Sequence, residues 1–206
     1  MNPGTSADRV HVQRDVATRA ERLPVLRERP LTRWGKVREA ALVRAAQRGS
    51  EEAVAELFAR HWDDARRAAL LVTGDRAAAE DIAQEAFLAA LRALPRFDLR
   101  RPLRPWLHRI VVNRAIDFAR ARALRAEVGA DAAGDPAAPE ETAEWPLDDD
   151  LLAGLLGLPI EQRAVIVLRY LLDFTPGEIA ALLELPRGTV NSRLRRGLDA
   201  LSEKVR

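Results

Sequence analysis

From Val37 onward, apolar residues recur every three or four positions, a spacing that predicts amphipathic helices. "VREAALVRAAQRG" is the first, closed by Gly49 as a C-terminal cap. "EEAVAELFARHWDDARRAALLVTG" is longer, with Ala53, Leu57, Ala65 and Leu70 among its apolar positions, and stops at Gly74. "DRAAAEDIAQEAFLAALRAL" follows, with Asp75 as its N-cap and Pro95 closing it. After the loop "RFDLRRP", "LRPWLHRIVVNRAIDFARARALR" makes a fourth helix. Together these predict one helical bundle over residues 37–125.

Period-two runs of Val, Ile, Thr and Tyr are nearly absent, so the expected fold is all-α, with two helical domains. Residues 126–147, "AEVGADAAGDPAAPEETAEWPL", lack apolar periodicity and read as an acidic flexible linker. Residues 1–36 are Arg-rich, carry Pro at 3, 24 and 30, and read as a basic, disordered extension. The second domain, 148–206, opens with "DDDLLAGLLG", whose acids suit a helix N-terminus. "PIEQRAVIVLRYLLD" is the next helix, and "TPGEIAALLELPRGTVNSRLRRG" supplies the last two.

That last stretch specifies its own geometry. Thr175 is an N-cap, Pro176 sits at the first helical position, and Glu178 completes a capping box. Ile179, Leu182 and Leu183 form the buried face, and Pro186 breaks the helix. In the second helix, starting around Arg187–Thr189, Val190, Leu194, Leu198 and Leu201 fall on one side. Thr189, Ser192, Arg193 and Arg196 fall opposite, with Arg195 on the flank. Short hydroxyls at a helix start followed by guanidinium groups are the layout of a helix-turn-helix recognition helix. A solvated polar face would explain the arginines alone, but not the capped short helix and tight break before them.

Composition narrows the classes. The 206 residues are 48% hydrophobic and 31% charged, with no cysteine. Disulfides, thiolate metal sites and cysteine nucleophiles are therefore excluded, which fits a reducing cytoplasm. No apolar run reaches membrane-spanning length, and "MNPGTSADRVHVQRD" lacks the apolar core of a signal peptide. Net charge is +2, but it is distributed in blocks. Residues 1–38 carry about +5, 39–95 about −3, 96–125 about +7, 126–150 about −9, 151–185 about −2 and 186–206 about +4. Two basic blocks divided by a strongly acidic one point to nucleic acid as a partner.

In the first basic block, Trp106, Arg109, Asn113 and Arg120 share a helical stripe. Such a stripe suits unstacked bases and backbone phosphates. Leu107, Ile110, Val111 and Phe118 show that this helix is also largely packed, which assigns Trp106 to the core. On the preceding helix Asp81, Gln84, Glu85, Leu88 and Arg92 share one face. Ile82, Ala83, Ala86, Phe87, Ala89 and Ala90 share the other. A leucine ringed by polar residues is open to two readings, an ordinary exposed side chain or a protein-docking patch.

"LVRAAQRGSEEAVAELFARHWDDARRAALLVTGDRAAAEDIAQEAFLAALRALPRFD" with "WLHRIVVNRAIDFAR" resembles domain 2 of extracytoplasmic-function (ECF) sigma factors, within the sigma-70 family. "LPIEQRAVIVLRYLLDFTPGEIAALLELPRGTVNSRLRRGLDAL" resembles their domain 4. The resemblance implies that Asp81, Gln84, Glu85 and Leu88 dock on the clamp of the largest subunit of core RNA polymerase. It implies that Arg100, Arg101, Arg104, Arg109, Asn113 and Arg120 serve the −10 promoter element, where the loop 96–104 holds a flipped-out base. Arg187, Thr189, Ser192, Arg193, Arg195 and Arg196 would read the −35 element, and domain 4 would grip the flap of the second-largest subunit. The acidic linker would thread toward the active-site cleft. Promoter DNA and an anti-sigma factor are the further partners implied, and no cofactor is. Asn191 stands where the family often has Lys or Arg.

A stand-alone helix-turn-helix regulator, with the first bundle used for dimerisation, is the alternative. Catalysis is not expected. The three histidines, 11, 61 and 108, have no phosphate loop beside them, and His61, Asp63 and Asp64 do not converge as metal ligands on one helix. "HWDD" reads as a solvated helix turn.

Overall fold

The computed structural model describes residues 33–127 and 149–204, in two compact units. The first contains α1 (Arg33–Gln47), α2 (Glu51–Thr73), α3 (Arg76–Ala93), a 3-10 turn (Leu94–Arg96) and α4 (Leu103–Glu127). The second contains α5 (Asp149–Leu156), α6 (Ile160–Ile166), a π turn (Val167–Leu171), α7 (Pro176–Leu183) and α8 (Arg187–Lys204). All the regular elements among the described residues are helical.

The punctuation of the first unit follows from side-chain and backbone chemistry. Gly49 takes a φ of 91°, a backbone conformation that residues with a side chain rarely adopt, and so turns the chain out of α1. Ser50 then caps α2, its hydroxyl accepting the Ala53 N–H at 3.2 Å, and Glu51 and Glu52 face the positive end of the helix dipole. Gly74 closes α2 in the left-handed region, its N–H donating to the Leu70 carbonyl at 2.7 Å. Asp75 caps α3 through Ala78 N–H, and its other oxygen accepts from Arg122 of α4 at 2.9 Å.

Helix α2 is the hub, packed against α1, α3 and α4. Ala65, Ala68, Ala69, Ala83, Ala86 and Ala115 are fully buried there, and such small side chains let the helices approach closely. Val111, Val112, Leu71 and Val72 fill the remainder.

Three expectations change. The first helix starts at Arg33, four residues before the apolar period becomes visible at Val37. Residues 1–32 of the basic extension and most of the linker lie outside the described residues, although α4 extends to Glu127. "HWDD" is not a solvated turn, because His61 and Asp64 are buried. The His61 Nε2 stands 3.0 Å from a carboxylate oxygen of Glu39, itself buried on α1. Period alone hid this, because Glu39 of α1 and Arg104 of α4 reach these groups from other helices.

In the second unit "PIEQRAVIVLRYLLD" is not one uniform helix. Its last turn widens to π geometry, with Leu172 N–H on Val167 O and Phe174 N–H on Leu168 O. Asp173, at a φ of 57°, then turns the chain. Beneath it, Arg163 donates to the carbonyls of Leu156 and Leu158, closing the end of α5, and burial lowers its pKa to about 10. The core unites Leu155, Leu168, Leu172 and Ile179 with Val190, Leu194, Leu198 and Leu201 of α8.

Candidate nucleic-acid interface

Helix α8 is aimed by the segment before it. Thr175 accepts the Glu178 N–H at 3.3 Å while the Glu178 carboxylate accepts the Thr175 N–H at 2.7 Å, a complete capping box. Helix α7 ends at Glu184 in the left-handed region, and the carbonyl of Pro186 accepts the N–H groups of Thr189 and Val190 to start α8. Val190, Leu194, Leu198 and Leu201 anchor the helix on α5, α6 and α7. On the other side Arg187, Arg195 and Arg196 are exposed, and Thr189, Ser192 and Arg193 are half-buried. Asn191, placed by its spacing at the edge of the packed face, is exposed. The polar side chains already form a local chain. The Ser192 hydroxyl donates to Thr189 O at 2.9 Å, and Arg196 Nε lies 3.3 Å from Ser192 O.

The second basic surface is built where α3 gives way to α4. Asp98 shapes the loop. Its Oδ1 accepts the Arg100 N–H at 3.0 Å and its carbonyl accepts the Arg101 N–H at 2.9 Å. The Arg100 guanidinium folds back on the same carboxylate at 3.1 Å, which lowers the Asp98 pKa. Arg101 is exposed. Arg104 is turned inward, its Nε 3.8 Å from Asp64 of α2. Farther along α4, Arg109 is half-buried, while Asn113 and Arg120 are exposed. Trp106 packs on the core cluster and stacks obliquely on Phe97, with ring centroids 4.7 Å apart. Its assignment to the core holds.

On α3, Asp81, Gln84 and Glu85 are exposed and Leu88 is 53% exposed. Glu85 reaches across to Arg114 of α4 at 2.7 Å. Two further apolar side chains open to solvent near this face, Leu91 of α3 and Phe58 of α2. They border a shallow, open groove whose walls include Val54, Phe87 and Trp106. Phe58 stacks on Trp62 at 4.7 Å and tilts against Phe87 at the same distance.

Two recognisable blocks on two separate helical units, each with its own core, match known proteins in the same order. Residues 57–125 match the Sigma-70 region 2 family, and residues 148–201 match Sigma-70 region 4. The ECF RNA polymerase sigma factor SigW of Bacillus subtilis is 31% identical over 177 residues, covering 80% of this chain and 95% of SigW. This chain belongs to the ECF group of sigma-70-family RNA polymerase sigma factors. Another relative, SigL of Mycobacterium tuberculosis, is 38% identical over 168 residues, covering 79% of this sigma factor and 88% of SigL. The solved structure of CnrH with the cytosolic domain of CnrY superposes with a TM-score of 0.60 at 30% identity, covering 80% of this chain and 95% of that one. RpoE of Bartonella quintana, solved with the anti-sigma factor NepR, shares the fold with a TM-score of 0.61 at 24% identity, covering 72% and 93%.

As a sigma factor the chain acts in transcription initiation. Sequence pattern had singled out only Leu88 as apolar on the outer face of the first unit. Phe58 and Leu91 are also exposed, on two helices, α2 and α3, that pack side by side. The signal was present in the spacing Phe58–Trp62 and Leu88–Leu91, but each pair also fits a buried stripe.

Proposed function

We propose that this sigma factor binds core RNA polymerase through α3 and directs it to promoters with a −35 and a −10 element. The reading rests above all on α8. Its apolar side is wholly committed to the core of the second unit, while Arg187, Arg195 and Arg196 stand in solvent. A helix held so firmly from behind can enter the major groove, with its first turns against base edges and its guanidiniums on guanine or phosphate. Asn113, Arg120 and the loop carrying Arg100 and Arg101 take the −10 strand as it melts. Arg104, held by Asp64, supports that loop rather than contacting DNA. Asp81, Gln84, Glu85 and Leu88 form the clamp-docking face, extended by Phe58 and Leu91.

Each DNA-binding block alone would bind weakly. Held on one polymerase, they act together through effective concentration. An anti-sigma factor is the further partner we assign, supported by the complexes in which CnrH and RpoE were solved.

The test is transcription in vitro with purified core polymerase and a library of genomic fragments, with and without this protein. New start sites sharing two upstream elements are the expected result. Specific fragment binding without polymerase, and no new starts, would make the chain a stand-alone helix-turn-helix regulator.

A further inference from the structure

The loop between the 3-10 turn and α4 is tied at its entrance to a helix far away in sequence. Gln47, at the end of α1 and half-buried, donates from Nε2 to the carbonyls of Leu94 and Phe97, each at 2.9 Å. Leu94 O also accepts the Phe97 N–H at 2.9 Å, so the amide meets the turn where α3 has run out of internal partners. Phe97 itself is buried in a cluster with Val43 and Ala46 of α1, and Leu99 packs on that cluster. At the other end of the loop, Asp64 of α2 stands 3.8 Å from Arg104. Between these two ties, Asp98 fixes the turn that carries Arg100 and Arg101.

We propose that Gln47 is a positioning residue for capture of the −10 base. Its amide holds the Leu94–Phe97 turn so that the loop 98–102 meets the unstacked base already formed. This rests on the reading above, in which that loop receives the base. A loop that had to order itself around the base would bind it more weakly, because the ordering cost would fall at the moment of capture. Without the amide, the Phe97 carbonyl loses this donor, the Leu94 carbonyl keeps only the Phe97 N–H, and the loop's entry point is no longer set. Gln47 lies outside the stretch 57–125 that matches the family's region 2.

The experiment uses the full-length protein with core polymerase on a promoter found by the transcription assay. Gln47→Met keeps the side chain's bulk and removes both donors. It is compared with wild type and with the Arg100→Ala/Arg101→Ala double variant. Four readings are taken. They are thermal unfolding, affinity for core polymerase, the rate of −10 opening by a fluorescent base analogue, and discrimination between −10 bases on a pre-melted template. Loss of two hydrogen bonds predicts a roughly tenfold drop in base discrimination and opening rate for Gln47→Met, with core affinity unchanged.

Normal opening and discrimination in Gln47→Met, with both lost in the arginine variant, would overturn the positioning role and leave the loop reading standing. Unchanged discrimination in the arginine variant would overturn the loop reading, and the inference with it. Loss of core affinity in step with opening would make Gln47 a structural residue only. If Gln47→Met does not fold, Gln47→Asn, one methylene shorter, is judged by the same criteria.

Discussion

A Cβ placed on Gly197 would stand 2.7 Å from Cδ1 of Ile166, so α6 and α8 approach closely at this glycine. Gln162 Cβ would lie 3.3 Å away. Glycine inside a helix costs about 1 kcal/mol relative to alanine, and here that cost accompanies close approach. Gly197→Val is expected to destabilise the second unit by about 1–3 kcal/mol through overpacking. Gly197→Ala should cost less, since the end of Ile166 can rotate aside. Urea unfolding of the full chain checks both, and a valine variant as stable as wild type would refute the close contact.

Arg196→Ala is expected to weaken recognition of the upstream promoter element, by roughly 5- to 150-fold for a loss of about 1–3 kcal/mol, and to leave polymerase binding intact. Footprinting of the holoenzyme on promoter DNA gives the measurement. Wild-type transcription from a promoter that depends on the −35 element would remove Arg196 from the reading face. Binding should also weaken steeply with salt, because each guanidinium on a phosphate releases counterions.

His108 sets a pH dependence on the first unit. It is wholly buried, with Nδ1 2.9 Å from the Arg104 carbonyl, a contact that requires the Nδ1–H tautomer. Burial first, and then the Arg104 charge, lower its pKa to about 4, while Asp64 acts in the opposite direction and His61 adds to the lowering. The folded chain therefore keeps His108 neutral, whereas the unfolded chain takes up a proton near pH 6.5. Its contribution is fully present above pH 6.5 and is lost as pH falls toward 4, on the order of 3 kcal/mol in all. His108→Gln keeps a donor for the carbonyl and cannot titrate. Its stability should fall less than that of wild type between pH 7 and pH 4.5, and parallel curves would reject the assignment.

Reversing Asp81 and Glu85 together to Lys is expected to lower affinity for core polymerase by tenfold or more. Phe58→Ala should do the same without changing charge, since aromatic anchors dominate many interfaces. A pull-down with core polymerase distinguishes the two contributions. Full affinity in both variants would move the docking surface elsewhere.

Much of this was written locally in the sequence. Gly74, Asp75 and the Thr175–Glu178 box are read from three or four neighbouring residues, and each forms the bond its spacing predicts. The buried face of α8 was equally legible, since Val190, Leu194, Leu198 and Leu201 follow a strict helical period. What escaped was whatever depends on a partner far along the chain. His61 looks solvent-facing until Glu39 is beside it, 22 residues away in sequence. Gln47 looks like any polar residue near a helix end until its amide meets a turn about 50 residues later. Arg104 counted as one more cation in a basic block, and Asp64 drew it inward.

The division of labour on α8 bears on how such a protein changes over generations. Its four core leucine and valine positions hold the helix in place, and its exposed arginines take no part in that core. If α8 reads the −35 element as proposed, point substitutions at 187, 191, 195 or 196 would alter which genes are switched on at almost no risk to folding. On that reading, a duplicated copy of this gene could acquire a new set of target promoters within a few mutational steps, while the proposed docking face on α3, in the other unit, passes on unaltered.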